Sequence, residues 1–279
     1  MMTSQEIAKL YQAACLDEIQ ALKPGNVHIF ADGHRMVVQD FFKSAEVSAQ
    51  PIAKENLSVG ERIFEAVRST HANVGMNTNL GIILLCTPLI QAAFRLNEAN
   101  LSLQKNLQFV LENLTIDDAN LTAKAIVLAN PAGLKNTDQH DVHQTANVNL
   151  LEMMRYAEHQ DNIAWQYTHH FENVFEDGLM AYQEAMALWD NHAWATTWVY
   201  LNFLCAIPDS HIVRKYGMEL AQTVLTEAQE IKLKILNTGH PKLEKKCLIS
   251  WDASLKARNI NPGTSADLTV ATLLAKKLM

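Results

Sequence analysis

The sequence predicts an all-α fold, a single compact multi-helix domain running from residue 1 to residue 279. Three observations predict it. Glycine and proline number only 10 and 7, while Ala and Leu supply 34 residues each, so the best helix formers are abundant and the breakers scarce. No run alternates apolar and polar residues in the strict manner of a half-buried strand. No internal repeat, low-complexity tract or shift in composition marks a linker between domains.

The elements follow in order. Ser4 can cap a helix reaching Leu22, with Ile7, Leu10, Tyr11, Ala14, Leu16 and Ile19 on its apolar side. Lys23-Pro24-Gly25-Asn26 ends it, because the residue before a proline resists the helical region and glycine accepts the turn. Helices are expected over Gln39–Lys54 and Gly60–His71, the latter burying Ile63, Phe64 and Val67. Leu80–Leu96 is strongly apolar, and its length favours a central helix, kinked at Pro88, over a buried strand. Leu103–Leu114 and Asp117–Ala129 follow, then a break at Asn130-Pro131-Ala132-Gly133 and a polar loop with Asn136, Asp138, His140, Asp141 and His143. Further helices fit Gln144–His159, Asp161–Trp189, Trp194–Ala206, Asp209–Leu236, Leu243–Ala257 and Thr264–Leu278.

Composition also excludes functions. The net charge of −7, with no basic block, argues against binding bulk nucleic acid. Apolar stretches such as Ile82–Cys86 and Ala125–Ala129 fall far short of a membrane span. No basic and apolar leader is visible, which leads to the expectation of a cytoplasmic protein. Cys15, Cys86, Cys205 and Cys247 are widely spaced without a CxxC pair and read as reduced thiols. An Ala- and Leu-rich helical surface also permits a homodimer.

The candidate chemistry lies in the breaks. Gly25 and Asn26, Asn77 with Asn79 and Gly81, Asn130 with Gly133, and Gly263 with Ser265 stand beside fresh helix starts. Helix N-termini offer unpaired N–H groups to phosphates, and glycine lets a ligand approach the backbone. As a set they suggest a cleft for a phosphorylated ligand; singly, each is also an ordinary helical connection. Thr264 and Asp267 form a capping box, or else Asp267 faces the ligand with Ser265 donating to a phosphate or sugar. Asp209 either caps a helix or holds Mg²⁺ while Arg214 or Lys215 binds phosphate oxygens. Glu61 and Glu65, one turn apart with Arg68 beyond, are either a solvated face or carboxylates beside Mg²⁺ or a ribose hydroxyl. Glu18 poses the same choice. His140, Asp141 and His143 match no zinc spacing, and His143 is also a candidate general base. The aromatic run Trp165, Tyr167, Phe171 and Phe175 reads as core. No P-loop, dinucleotide fingerprint, HExxH or GxSxG is present.

Several separated motifs then stand in a familiar order: Lys23-Pro24-Gly25-Asn26-Val27, Gly33-His34, Phe42-Lys43-Ser44-Ala45, Gly60-Glu61-Arg62-Ile63, Gly75 to Gly81, Asp209-Ser210, Arg214-Lys215-Tyr216-Gly217, and Pro262 to Leu268. In these the chain resembles the triphosphoribosyl-dephospho-CoA synthase family from about Ala8 to Leu278. The resemblance implies an all-helical fold and transfer of the ribosyl 5′-triphosphate of ATP to the 2′-hydroxyl of 3′-dephospho-CoA, with release of adenine. It implies Mg²⁺ and cations on the triphosphate. Lys23, Arg214 and Lys215 suit the phosphates, Asp209 and Asp267 the metal or sugar, and Glu65, Asp209 and Asp267 the catalytic carboxylates. Asn77 and Asn79 suit polar groups of the sugar or base. The chain departs from the pattern where a histidine and a basic residue of characterised members are replaced by Asn79 and Leu80, where a second glycine becomes Thr264, and where an aspartate expected near Gly33–Met36 is missing. It is therefore similar to a divergent branch linked to pterin cofactors of the methanopterin type. Two other expectations remain open beside the transferase: a ligase or phosphotransferase in pterin-cofactor biosynthesis, and a non-catalytic nucleotide or cofactor binder.

Overall fold

In a computed structural model, residues 2–96, 101–131 and 141–279 are described, and they form helices connected by turns, with no strand among them. Ala132, Gly133, Asn136, Asp138 and His140 lie outside the described residues. The helices are α1 (Ser4–Gln20), α2 (Val38–Ile52), α3 (Val59–Val74), α4 (Leu80–Arg95), α5 (Leu103–Glu112), α6 (Ile116–Ala129), α7 (Leu150–Ala157), α8 (Asn162–Thr168), α9 (Leu179–Trp189), α10 (His192–Ala206), α11 (Ser210–Tyr216), α12 (Met218–Thr238), α13 (Lys245–Ala257) and α14 (Gly263–Leu278). Two isolated bridges, His28 with Ala31 and Gly33 with Met36, shape the α1–α2 connection.

Local chemistry sets many of the helix starts. Thr3 caps α1 in a reciprocal box with Glu6, Ser58 does so for α3 with Glu61, and Thr115 for α6 with Asp118. Asn149 caps α7, so this helix starts six residues after the expected Gln144. Two long helices expected from periodicity are broken. Asp161–Trp189 contains α8, then His170 and Phe171 at φ 50° and 60°, then a π-helical stretch Asn173–Gly178, and only then α9. Apolar spacing persists through the break because Phe171 and Val174 still point into the core. Asp209–Leu236 is divided at Gly217, whose φ of 94° no helix accommodates.

The core is organised on α4 and α14, which pack against each other. Around α14 lie α1, α10 and the π-helical stretch. Nearly all of α14 is buried, including Thr269 and Thr272, whose hydroxyls donate to the carbonyls of Ser265 and Leu268 one turn back. The aromatic run belongs to the core, with Tyr167 and Phe171 fully buried. Cys15, Cys86, Cys205 and Cys247 are free thiols, the first three buried. Among the described residues no helix is long and apolar enough to cross a membrane.

Helix α4 runs through Pro88 without interruption. Proline has no N–H to offer the carbonyl four residues back, that of Leu84. The buried Tyr167 hydroxyl donates to this carbonyl at 2.7 Å. Tyr167→Phe should therefore cost about 1–3 kcal/mol, the penalty of an orphaned buried carbonyl. A urea titration of the two proteins measures it, and an unchanged midpoint would contradict the pairing.

Candidate active site

A cleft of about 780 Å³ opens where the loops before α4, α11 and α14 meet. That volume falls in the range of small-molecule sites. Of the residues expected at a site, the cleft gathers Asn26, Asn77, Asn79, Gly81, Arg214, Lys215, Gly263 and Asp267. It also gathers Glu18, for which the sequence allows two roles, and adds His34, Arg35, Asp161 and His211. A second wall is apolar and comes from α6, α7 and α8, with Ile126, Leu128, Met153, Met154 and Ile163.

Asp267 is the acid of the cleft. It sits in the second turn of α14, and Gly81 in the first turn of α4 lies so close that a Cβ on Gly81 would overlap Asp267 Oδ2. Among the described residues no donor pairs with its carboxyl group. Burial, followed by the nearby charges of Glu18, Asp209 and Asp161, holds its pKa well above the usual carboxylate range, with Arg214 opposing. Thr264, expected as the cap of a box with Asp267, is instead already helical. Its hydroxyl lies 3.0 Å from Ser210 Oγ and accepts from the His211 N–H at 3.2 Å. Gly81→Ala would ordinarily favour a helix by about 1 kcal/mol. Here the new methyl meets Asp267 and Ile163 Cδ1, so the variant should lose about 1–3 kcal/mol by overpacking and lose ligand affinity with it. Thermal unfolding alongside ligand titration tests both parts.

Asp209 has a different task from the expected metal ligand. It is buried and does not line the cleft. Its Oδ1 accepts from the N–H groups of His211 (3.0 Å) and Ile212 (3.2 Å), capping α11. Its Oδ2 accepts from the N–H and the hydroxyl of Ser265, both at 2.8 Å, in the first turn of α14. Burial raises its pKa against these hydrogen bonds. Asp209 thus ties two helix starts together with its lone pairs committed, and Ser265 faces Asp209 rather than a ligand.

Lys23 is likewise turned inward. Fully buried, it bonds Glu18 Oε1 (2.8 Å), Asn26 Oδ1 (2.9 Å) and Val27 O (2.6 Å), which uses all three ammonium protons. It holds Glu18 at the cleft wall and leaves nothing for a phosphate. Burial raises the Glu18 pKa, and the Lys23 charge opposes this. Gly25 has φ 84°, and its N–H donates to Asp252 Oδ1 at 2.8 Å. A Cβ there would press on Pro262 Cδ at 2.8 Å, so glycine is required beneath the loop before α14. Asn26 joins the same loop through Asn261 at 2.8 Å. Glu65 does not line the cleft: it pairs with the exposed Arg68 one turn on in α3. Glu61 is spent on its capping box.

The cations gather on the side of α11 and the Gly33–Met36 turn. Arg214 Nη1 meets Asp161 Oδ2 at 3.1 Å, and Lys215 is exposed. His211 is held neutral, its pKa pushed down to about 4 by burial first and then by Arg214, Lys215 and His34. His34 is lowered too, by burial first, against its 2.7 Å contact to the Gly25 carbonyl, with Lys215 and Lys256 adding to the fall. Asn77 and Asn79 lie at the start of α4; Asn77 Oδ1 accepts the Leu80 N–H at 3.2 Å, and Asn79 Nδ2 donates to Ser48 at 3.3 Å. His143, a candidate base, is exposed and does not line the cleft. Neither His211 nor Arg35 carries a sequence signal of its own.

Fold and site together define an all-helical protein that holds a small-molecule cleft lined by both cationic and acidic side chains. The family model CitG, ATP:dephospho-CoA triphosphoribosyl transferase, matches residues 4–279, and the chain belongs to that family. The 2-(5''-triphosphoribosyl)-3'-dephosphocoenzyme-A synthase of Pectobacterium atrosepticum is 33% identical over 104 residues, which is 37% of this chain and 32% of that protein. A counterpart in Pectobacterium carotovorum is 32% identical over 104 residues with the same coverage. The match thus spans about a third of the length of these relatives. In fold, the chain is similar to a crystal structure of a triphosphoribosyl-dephospho-coA synthase candidate from Archaeoglobus fulgidus, with a TM-score of 0.64 at 22% identity, covering 84% of this chain and 96% of that one.

Proposed function

We propose that this protein moves a triphosphoribosyl group from ATP, or a related nucleotide, to a hydroxyl of a cofactor precursor such as 3′-dephospho-CoA. The observation that carries the reading is the cleft itself, which in a chain of this family is lined by an acid, Asp267, together with Arg35, Arg214 and Lys215. In the transfer, the acceptor oxygen bonds to the anomeric carbon and the glycosidic C–N bond breaks, its electron pair leaving with the purine. The purine requires a proton. Asp267, which keeps its proton above the usual carboxylate range, donates it and is reset by the proton of the acceptor hydroxyl. Arg214 and Lys215 bind phosphate oxygens, and neutral His211 supplies a hydrogen-bonding group without adding charge.

Mg²⁺ belongs to this reading as the ion that neutralises part of the polyphosphate charge. The donor set fits a cation carried by the nucleotide: Asp209 is consumed by four donors and Asp267 is the proton donor, while one oxygen of Glu18 remains beside the cleft. Mg²⁺ needs only one or two carboxylates when phosphates and water complete its shell.

The test is incubation of the full chain with ATP, Mg²⁺ and 3′-dephospho-CoA, with a pterin precursor as a second acceptor, followed by chromatography. Free adenine matched by a heavier acceptor product is the expected result. ADP, or AMP with pyrophosphate, would replace the transferase with a phosphotransferase or ligase. Saturable binding without turnover would leave a binder.

A further inference from the structure

Few side chains occupy the left-handed backbone region, and two in succession are rarer still. His34 and Arg35 do so, at φ 56° and 63°. Met36 N–H donates to Gly33 O at 2.9 Å and Gly33 N–H to Met36 O at 3.2 Å, closing a two-residue hairpin of the kind that normally takes Asn-Gly. The turn is held from two sides. His34 Nε2 contacts the Gly25 carbonyl at 2.7 Å, and the Lys256 stem packs on Gly33 while its ammonium donates to Ala31 O at 3.0 Å. Unfavourable backbone that its surroundings enforce is a property of functional sites.

The turn fronts the cleft, and both of its central residues line it. His34 Nδ1 is buried and has no hydrogen-bond partner among the described residues. Arg35 is exposed and, among the described residues, meets no carboxylate, carbonyl or aromatic ring. Lys215 is near enough to depress the His34 pKa, which brings the turn to the cations of α11. A planar guanidinium is suited to bridge two phosphate oxygens.

We propose that the Gly33–Met36 turn is a polyphosphate grip, with Arg35 contacting the phosphate chain of the nucleotide opposite Arg214 and Lys215. This rests on the nucleotide reading above, and it assigns the phosphate role that Lys23 cannot fill. The probe is inorganic tripolyphosphate, titrated calorimetrically into the full chain. Arg35→Gly removes the cation and places glycine where the backbone favours it. It should leave the melting temperature unchanged or higher while weakening tripolyphosphate about ten- to a hundredfold. Arg35→Lys should fall between, and Lys9→Ala, a surface charge off the cleft, should bind as wild type. Wild-type protein that does not bind tripolyphosphate, an Arg35→Gly affinity within twofold of wild type, or a lowered melting temperature in that variant would overturn the grip. Weakened binding in a protein that releases no adenine would remove the transfer reading and keep the grip; normal binding in an active Arg35→Gly variant would do the reverse.

Discussion

Asp267→Asn should lower turnover by roughly 10²- to 10⁴-fold, the range expected when a proton-transferring group is lost, and it should make the protein more stable at neutral pH. The second effect separates a functional acid from a structural one. The folded-state pKa of Asp267 is raised far above its ordinary 3.8. Between those two values the native protein holds a proton that the unfolded chain has released, so stability falls as pH rises. Below the unfolded value this loss is absent. Asparagine has nearly the same shape and never ionises, so the variant should lose that slope and melt higher at pH 7. Melting curves from pH 4 to pH 8, with adenine release assayed on the same samples, test the pair of effects. A variant that melts lower and keeps full activity would contradict both the burial and the role.

Asp209→Ala should destabilise the fold by about 3–5 kcal/mol, because three backbone N–H groups and one hydroxyl lose their acceptor inside the protein. In a chain of this size that is a fall in melting temperature of roughly 10 °C. Asp209→Asn should be intermediate, since its amide presents a donor to two of the four donors. A metal ligand would behave otherwise: the alanine variant would fold normally and lose activity alone. Calorimetric melting with and without Mg²⁺ distinguishes the two, because a metal ligand ties the melting temperature to the ion and a cap does not.

Much of the fold was legible because helix stops are local. Lys23-Pro24-Gly25-Asn26, Gly75 to Asn79 and Asn261-Pro262 all lie between helices, and all three bring residues to the cleft. The breaks at His170-Phe171 and Gly217 were hidden for different reasons. Phe171 preserves the apolar spacing while leaving helical geometry, and Gly217 is a lone glycine, which a helix tolerates. At the site, residue type was legible but partner was not. Asp209 and Lys23 have the chemistry of a metal ligand and a phosphate binder, yet each is satisfied inside the protein. For Asp209 the deciding partner, Ser265, is 56 residues away in the chain. Asp267 was visible from its motif, but its raised pKa depends on burial and on Glu18, Asp209 and Asp161, which lie far from it in the chain. Arg35 was invisible because nothing local announces a left-handed arginine.

The contact of Gly81 with Asp267 has a consequence for residues far from any ligand. No side chain lies between the start of α4 and the acid of α14, so the spacing of the two central helices sets how much solvent and how much of the positive end of α4 the carboxyl group experiences. Leu85, Leu89 and Val270 are buried along these helices, and repacking them is expected to shift the proton affinity of Asp267. Methyl-sized changes among them would be read as displaced pH–rate profiles as well as altered melting points, with the chemistry of the cleft responding to the diameter of the core.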